Sequence, residues 1–134
     1  MYLLDTNVVS ELRKPRPNPA VVQWLAQVPN AQLFISAVTI GEIQSGIEIT
    51  RAQDAEKAAA IERWLDQVMR TAQIVSLDAE IFRLWGRLMH QKSNTLIEDA
   101  MIAASALSHQ FTVVTRNVND FRAFGVSVFN PFAT

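Results

Sequence analysis

The sequence predicts an α/β fold, a mostly parallel central sheet covered by helices on both faces. Three observations predict it. Apolar runs of strand composition, Tyr2 to Leu4, Leu33 to Ile35 and Phe111 to Thr115, are each followed at once by polar residues. The first two lead straight into segments of helical periodicity, so a strand, a small polar residue and a helix recur in that order. Strands separated by one or more helices need crossover connections, which places them side by side in parallel. With 134 residues, 49% of them hydrophobic, residues 1–134 are expected to form a single domain around one substantial core.

Composition removes several classes of function. The absence of cysteine excludes disulfides, thiolate zinc sites and a cysteine nucleophile. No apolar run approaches the roughly 20 residues of a membrane span, and no basic, signal-like segment opens the chain. A soluble cytoplasmic protein with no membrane partner is the expectation. Twelve Lys and Arg against 13 Asp and Glu give a net charge of −1, so no global basic field advertises nucleic-acid binding. Any such role has to be local.

Taken in order, Tyr2, Leu3 and Leu4 form a short buried strand that delivers Asp5 to its carboxyl end, where ligands collect in open α/β sheets. Asp5 is there either as a helix cap or as the anchor of a site, with Thr6 or Asn7 available to cap the helix of Val8, Val9 and Leu12. The prolines of Arg13 to Pro19 make a stiff loop, and Pro19 opens a second helix that carries Trp24 and ends at Pro29. After the strand at Leu33 to Ile35, Ser36 caps a helix from Val38 to Thr50 whose apolar stripe is Ile40, Ile43 and Ile47. Glu42 lies off that helix's polar face, aligned with Val38, Gly46 and Ile49, and a carboxylate so placed needs a partner.

Residues 53–72 and 79–92 are two more amphipathic helices, with stripes Ile61, Trp64, Leu65, Val68 and Ile81, Leu84, Trp85, Leu88, expected to pack together as a hairpin or clasp. Gln73 to Leu77 between them is extended, and Asp78 caps the second helix. The tryptophans lie on apolar stripes and read as core anchors, while Arg63, Arg70, Arg83 and Arg87 read as solvated faces. On the helix from Leu96 to Gln110, Glu98, Ser105, Ser108 and His109 gather on one side and Ala100, Ile102, Ala103, Ala106 and Leu107 on the other. Asp99 falls with the second group, a carboxylate directed at the sheet. Phe111 to Thr115 is followed by Asn117 and Asp120, then by Phe121 and Phe124 packing a turn, and Val126 to Phe129 is an edge strand.

Asp5, Glu42, Asp99 and either Asn117 or Asp120 thus share one description, polar groups carried to one edge of the sheet. Carboxylates held together without cysteine favour a hard, oxygen-seeking cation, Mg²⁺ or Mn²⁺, over zinc, and suit phosphodiester hydrolysis. Neither a phosphate-cradling glycine loop nor a Ser, His, Asp set is supported, because the four glycines lack the spacing and His90 and His109 sit on helices at unrelated positions.

At these residues the sequence resembles the PIN-domain family, and within it the VapC/FitB-like toxins of type II toxin-antitoxin systems. The resemblance rests on LLDTNVVSEL at the start, SAVTIGEI around Glu42, EDAMIAASAL around Asp99, VVTRNVNDF and a closing VFNPF, and covers essentially the whole chain. It implies a three-layer PIN-like sandwich with a protruding helical hairpin or clasp. It also implies a Mg²⁺-dependent endoribonuclease acting on tRNA or rRNA, a homodimer, and inhibition by a VapB/FitA-like antitoxin that carries the pair onto operator DNA. Carried across by motif, Asp5, Glu42 and Asp99 match the family's first three acidic positions. Asn117 stands where some relatives have an aspartate, with Asp120 either substituting from the same loop or only capping the turn that leads to Phe121, and Thr6 and Thr115 supply hydroxyls to orient the carboxylates. The alternative the sequence leaves open is a catalytically weak corepressor acting with a DNA-binding antitoxin.

Overall fold

The computed structural model describes residues 1–133. Five strands form one sheet: β1 (Tyr2–Leu4), β2 (Leu33–Ser36), β3 (Gln73–Val75), β4 (Thr112–Val114) and β5 (Val128–Phe129), in the order β3-β2-β1-β4-β5. Every pairing is parallel, with Leu4 aligned to Ile35 on one side and to Val114 on the other. The connecting helices are α1 (Thr6–Glu11), α2 (Pro19–Gln27), α3 (Ala37–Arg51), α4 (Ala55–Thr71), α5 (Ala79–Leu88), α6 (Ile97–His109) and α7 (Val118–Arg122). Among the described residues no helix is long and apolar enough to cross a membrane.

Strand alternation divides the core in two. Leu4, Ile35 and Val114 face α1, α2, α3 and α4, meeting Val8, Val9, Val21, Ile43, Ile47, Ile61 and Leu65. Leu3, Val75 and Val113 face the other way, meeting Ala100, Ile102, Ala103, Ala106, Phe121 and Phe124. The alanines of α6 let its backbone come close to the sheet, which is how a helix carrying Asp99 reaches the ends of the central strands. Trp64 and Trp85 pack on the two cores, and the Trp85 indole N–H donates to the Ile97 carbonyl.

The chain reverses direction in strand order at β1. Its early connections run from β1 out to β2 and β3, and its later ones fill the other side with β4 and β5. The gap between the carboxyl ends of β1 and β4 is therefore the switch point of the sheet, where such folds bind ligands.

Four expectations need correction. The amphipathic helices at 53–72 and 79–92 do not pair: α4 packs on α3 and α5 on α6, because β3 lies between α4 and α5 and sends them to opposite faces. The α3–α4 hairpin is tied by Arg51, which reaches Glu48 at 3.0 Å and Glu62 at 2.9 Å, and by Gln44, which donates to both acids. The helix expected to reach Lys92 ends at Leu88, and Gln91 adopts a left-handed conformation (φ 62°) in the turn that follows. Ser105, placed by its helical wheel on a polar face, is fully buried and satisfies its hydroxyl on the Met101 carbonyl at 3.0 Å. The cap of α1 is Asp5 itself, whose Oδ1 accepts from the Thr6 amide, so Thr6 and Asn7 turn their side chains elsewhere.

Asp54, at the hairpin turn, caps α4 by accepting from the Lys57 amide at 3.1 Å. Asp54→Ala is expected to lower stability by about 1 kcal/mol, the usual cost of an N-cap, read as a lower urea midpoint with an unchanged slope.

Candidate active site

Asp5 is the first residue after the central strand and is only 3% exposed. Its amide donates to the Val114 carbonyl, which continues the ladder with β4 one residue beyond the strand. Its carboxylate is fixed on both oxygens: Oδ1 accepts from the Thr6 amide at 2.8 Å, and Oδ2 from the Thr115 hydroxyl at 2.8 Å and the Asn7 amide group at 3.2 Å. The cap and site readings of Asp5 are therefore compatible, since one oxygen closes the helix while the other faces the β1/β4 gap. Burial pushes its pKa above the ordinary carboxylate value, against the hydrogen bonds from Thr115 and Thr6, which pull it down.

Thr115, directly after β4 and fully buried, links three elements. Its hydroxyl donates to Asp5 and accepts from the Asn117 amide at 2.9 Å, and Asn7 Nδ2 approaches it at 3.4 Å. Thr6 plays the equivalent part toward α3, with its hydroxyl donating to Glu42 Oε1 at 2.8 Å and lying 3.0 Å from the buried hydroxyl of Thr39. Glu42 is half-buried between two hollows. One of about 220 Å³ includes Thr6, Ser10 and Arg13, and the other, of about 420 Å³, lies between α3 and α6 and includes Gly41, Glu98 and Met101. Desolvation raises the Glu42 pKa and the charges of Asp5 and Glu98 raise it further, against the hydrogen bond from Thr6.

Asp99, in the first turn of α6, accepts no hydrogen bond among the described residues. Its pKa is pushed up to about 6, first by desolvation and then by the negative charges of Asp5, Asp120, Glu42 and Glu98. Every electrostatic influence on this carboxyl opposes its ionisation. The acids of β1, α3, α6 and α7 thus sense one another across the ends of β1 and β4. Asp120 enters this group by charge alone; it is exposed, and its carboxylate makes no hydrogen bond among the described residues. Asn117 is also exposed, precedes α7, and is held only through its backbone, its side chain making no cap.

The all-oxygen, multiply acidic set is chemically suited to a hard divalent cation, whose charge would reverse the repulsion that raises Asp99. The carboxylates are not drawn together as they stand: among the described residues no three acidic or histidine side chains come close enough to hold one ion. Asp5 and Glu42 are oriented by Thr115, Asn7 and Thr6, whereas the Asp99 side chain has no hydrogen-bonded tether among the described residues.

Sequence reasoning passed over three participants. Asn7 was read as a cap but bridges Asp5, Thr115 and, through its Oδ1, the Arg116 amide at 3.3 Å. Thr39 supports Thr6. Glu11, the third, is 5% exposed and engages Lys14 and the Asn18 amide, both at 2.9 Å. The one available signal for Glu11 was its place on the inner stripe with Val8.

The fold and sequence have known relatives. The PIN domain model matches residues 2–126. Toxin FitB of Neisseria gonorrhoeae is 32% identical, over 98% of this chain and 99% of its own length. VapC ribonuclease Y4jK of Sinorhizobium fredii is also 32% identical, over 98% of both chains. Among solved structures, FitAcB from Neisseria gonorrhoeae superposes with a TM-score of 0.87 at 32% identity and complete coverage of both chains. FitAB bound to a DNA fragment gives 0.85 at 31% identity, covering 100% of this chain and 97% of that one.

Proposed function

Since the chain belongs to the PIN domain family, we propose that it is a metal-dependent endoribonuclease toxin, neutralised by a cognate VapB/FitA-like antitoxin. The observation that carries this reading is Asp99: a half-buried carboxyl pushed up to about 6 by desolvation and then by surrounding acids, at the switch point of a parallel sheet, with no basic group offsetting them. Such an arrangement is costly unless a cation completes it. Mg²⁺ is the proposed ion, with Mn²⁺ able to replace it, and Asp5, Asp99 and Glu42 are its proposed ligands.

Held by Asp5, Asp99 and Glu42, such a cation would offset the charge that builds on a phosphodiester and would make a nearby water more acidic. The chain supplies position. Thr115 and Asn7 hold Asp5, Thr6 backed by Thr39 holds Glu42, and Asp120 adds negative charge from the β4–α7 loop. Transfer RNA or ribosomal RNA is the proposed substrate class, in line with the family resemblance, and the relatives named as a toxin and as a ribonuclease support the activity. The same resemblance supports a homodimer that the antitoxin brings to operator DNA, and the structure of FitAB bound to a DNA fragment supports the DNA-bound assembly.

A second reading, a catalytically weak corepressor, is favoured by one observation: the uncharged and exposed Asn117 leaves the fourth position without a carboxylate of its own. The two part in a single assay. Antitoxin-free protein with Mg²⁺ is expected to cut cellular RNA into discrete fragments, to stop in EDTA and to resume when Mg²⁺ or Mn²⁺ is restored. RNA left intact by metal-loaded protein would favour the corepressor.

A further inference from the structure

The VFNPF motif closes the fold without entering the acidic site, yet it ends against it. After β5, Asn130 folds the chain back by accepting from the Phe132 amide at 2.9 Å, and Pro131 is buried. This sets the Phe132 ring under the Arg116 guanidinium, with Cζ 3.9 Å from the ring centre. The guanidinium also lies 3.8 Å from the buried Glu11 carboxylate, and the Arg116 amide donates to Asn7. Arg116 is thereby held by a ring, an acid and a backbone bond, while more than half of its side chain stays open to solvent. It sits between Thr115, which bonds Asp5, and Asn117, and it shares a hollow of about 330 Å³ with Asn117, Asn119, Asp120 and Asn130. A cation is thus fixed at the β4–α7 rim of the acidic cluster, and a second, Arg13, shares a hollow with Glu42.

We infer that Arg116 contacts a phosphate of the RNA strand beside the cleaved bond, and that the Asn130–Phe132 turn and Glu11 pre-order it for that contact. This rests on the ribonuclease reading proposed above and adds the residue that draws the strand in. The physical case has two parts. An acidic cleft repels a polyanion, so a positive group at its edge is needed even when a cation is bound. Arginine presents a planar fork of donors to phosphate, and stacking on Phe132 leaves the outer edge of that fork facing out while removing much of the rotamer freedom that binding would otherwise cost. Glu11 does not cancel this charge, because Lys14 already engages the same carboxylate at closer range.

The test measures binding and cleavage separately. Binding of a fluorescently labelled single-stranded RNA of mixed sequence is followed by anisotropy in the Asp99→Asn background, with Mg²⁺, across a salt series. Arg116→Gln is expected to weaken binding by roughly threefold to tenfold near 0.1 M salt and to lower the salt slope by about 0.7, the value of one phosphate contact on a single strand. Arg116→Lys keeps the slope but binds less tightly, and Phe132→Leu, which retains the charge, weakens binding with the slope intact. In the Asp99 background, Arg116→Gln is expected to raise KM while kcat stays within about twofold. Circular dichroism checks that each variant is folded, and Arg116→Lys decides the matter should Arg116→Gln unfold. An unchanged slope and affinity in Arg116→Gln, or a fall in kcat at constant KM, overturns the inference and leaves the ribonuclease standing. RNA binding that depends on Arg116, in a wild-type protein that cuts nothing, overturns the ribonuclease and leaves the contact. A wild-type protein that binds no RNA overturns both.

Discussion

Asp99→Asn is expected to abolish RNA cleavage, by a thousandfold or more on the order of the effect of deleting an essential charged group, and to leave the protein better folded than before. The second half of that outcome distinguishes a functional carboxylate from a structural one. In the folded chain the Asp99 carboxyl holds its proton up to about pH 6, against an ordinary value of 3.8. The folded state therefore binds more protons than the unfolded state between those values, and stability falls as pH rises through that window. The full penalty is present above about pH 6. Asparagine does not titrate, so the melting temperature of Asp99→Asn is expected to exceed that of the metal-free wild type, by an amount that grows from pH 4 to pH 7. Adding Mg²⁺ is expected to stabilise the wild type and to narrow the gap. A variant that loses activity and melts lower at every pH would mark Asp99 as structural.

Asp5→Ala is expected to do the reverse for stability, costing roughly 2–4 kcal/mol along with all cleavage. Among the described residues its carboxylate is the sole acceptor for the Thr115 hydroxyl and for the α1 cap, and Asn7 also loses a partner. These groups lie where water has little access, so the loss leaves donors unsatisfied in addition to removing bonds. Asp5→Asn is expected to fall between, because its Oδ1 can still cap Thr6 while its amide meets the Asn7 amide and the Thr115 hydroxyl unfavourably. Urea denaturation of the two variants reads this order directly. Equal midpoints for Asp5→Ala and the wild type would remove Asp5 from its joint role as cap and junction.

The opposite signs at Asp5 and Asp99 show what could be read from the residues. The central strands were legible because a parallel strand buried on both faces is a short continuous apolar run, and such runs occur at Leu3, Ile35 and Val113. Asp99 was legible because a carboxylate among alanines breaks the helical pattern. Ser105 was not, since its polarity is answered four residues back on its own helix, a bond that periodicity does not record. The pairing of helices was also hidden: an apolar stripe says that α4 has a buried face, while the intervening β3 decides which side of the sheet that face meets. Glu11 escaped notice because its partners, the Asn18 amide, Lys14 and Arg116, come from a turn and from a distant loop. Asp120 was a bare alternative in sequence and entered only through the field it exerts on Asp99.

The place of β1 in the sheet bears on when the molecule becomes dangerous. Its strand precedes the other four in the chain but lies in the middle of the finished sheet, flanked by a strand about a quarter of the way along the sequence and by β4, about 80 residues further on. Asp5 waits for Thr115 across a separation of 110 residues, and Asp99 is translated only shortly before that partner. Loop closure over such a span is slow and needs both ends present. A nascent chain therefore carries the first acid through most of its synthesis with no assembled cleft, and competence arrives nearly all at once as the last strands dock. For a protein proposed to cut RNA, this order of assembly means that a chain cut short before β4 lacks Thr115 and with it the complete Asp5 junction.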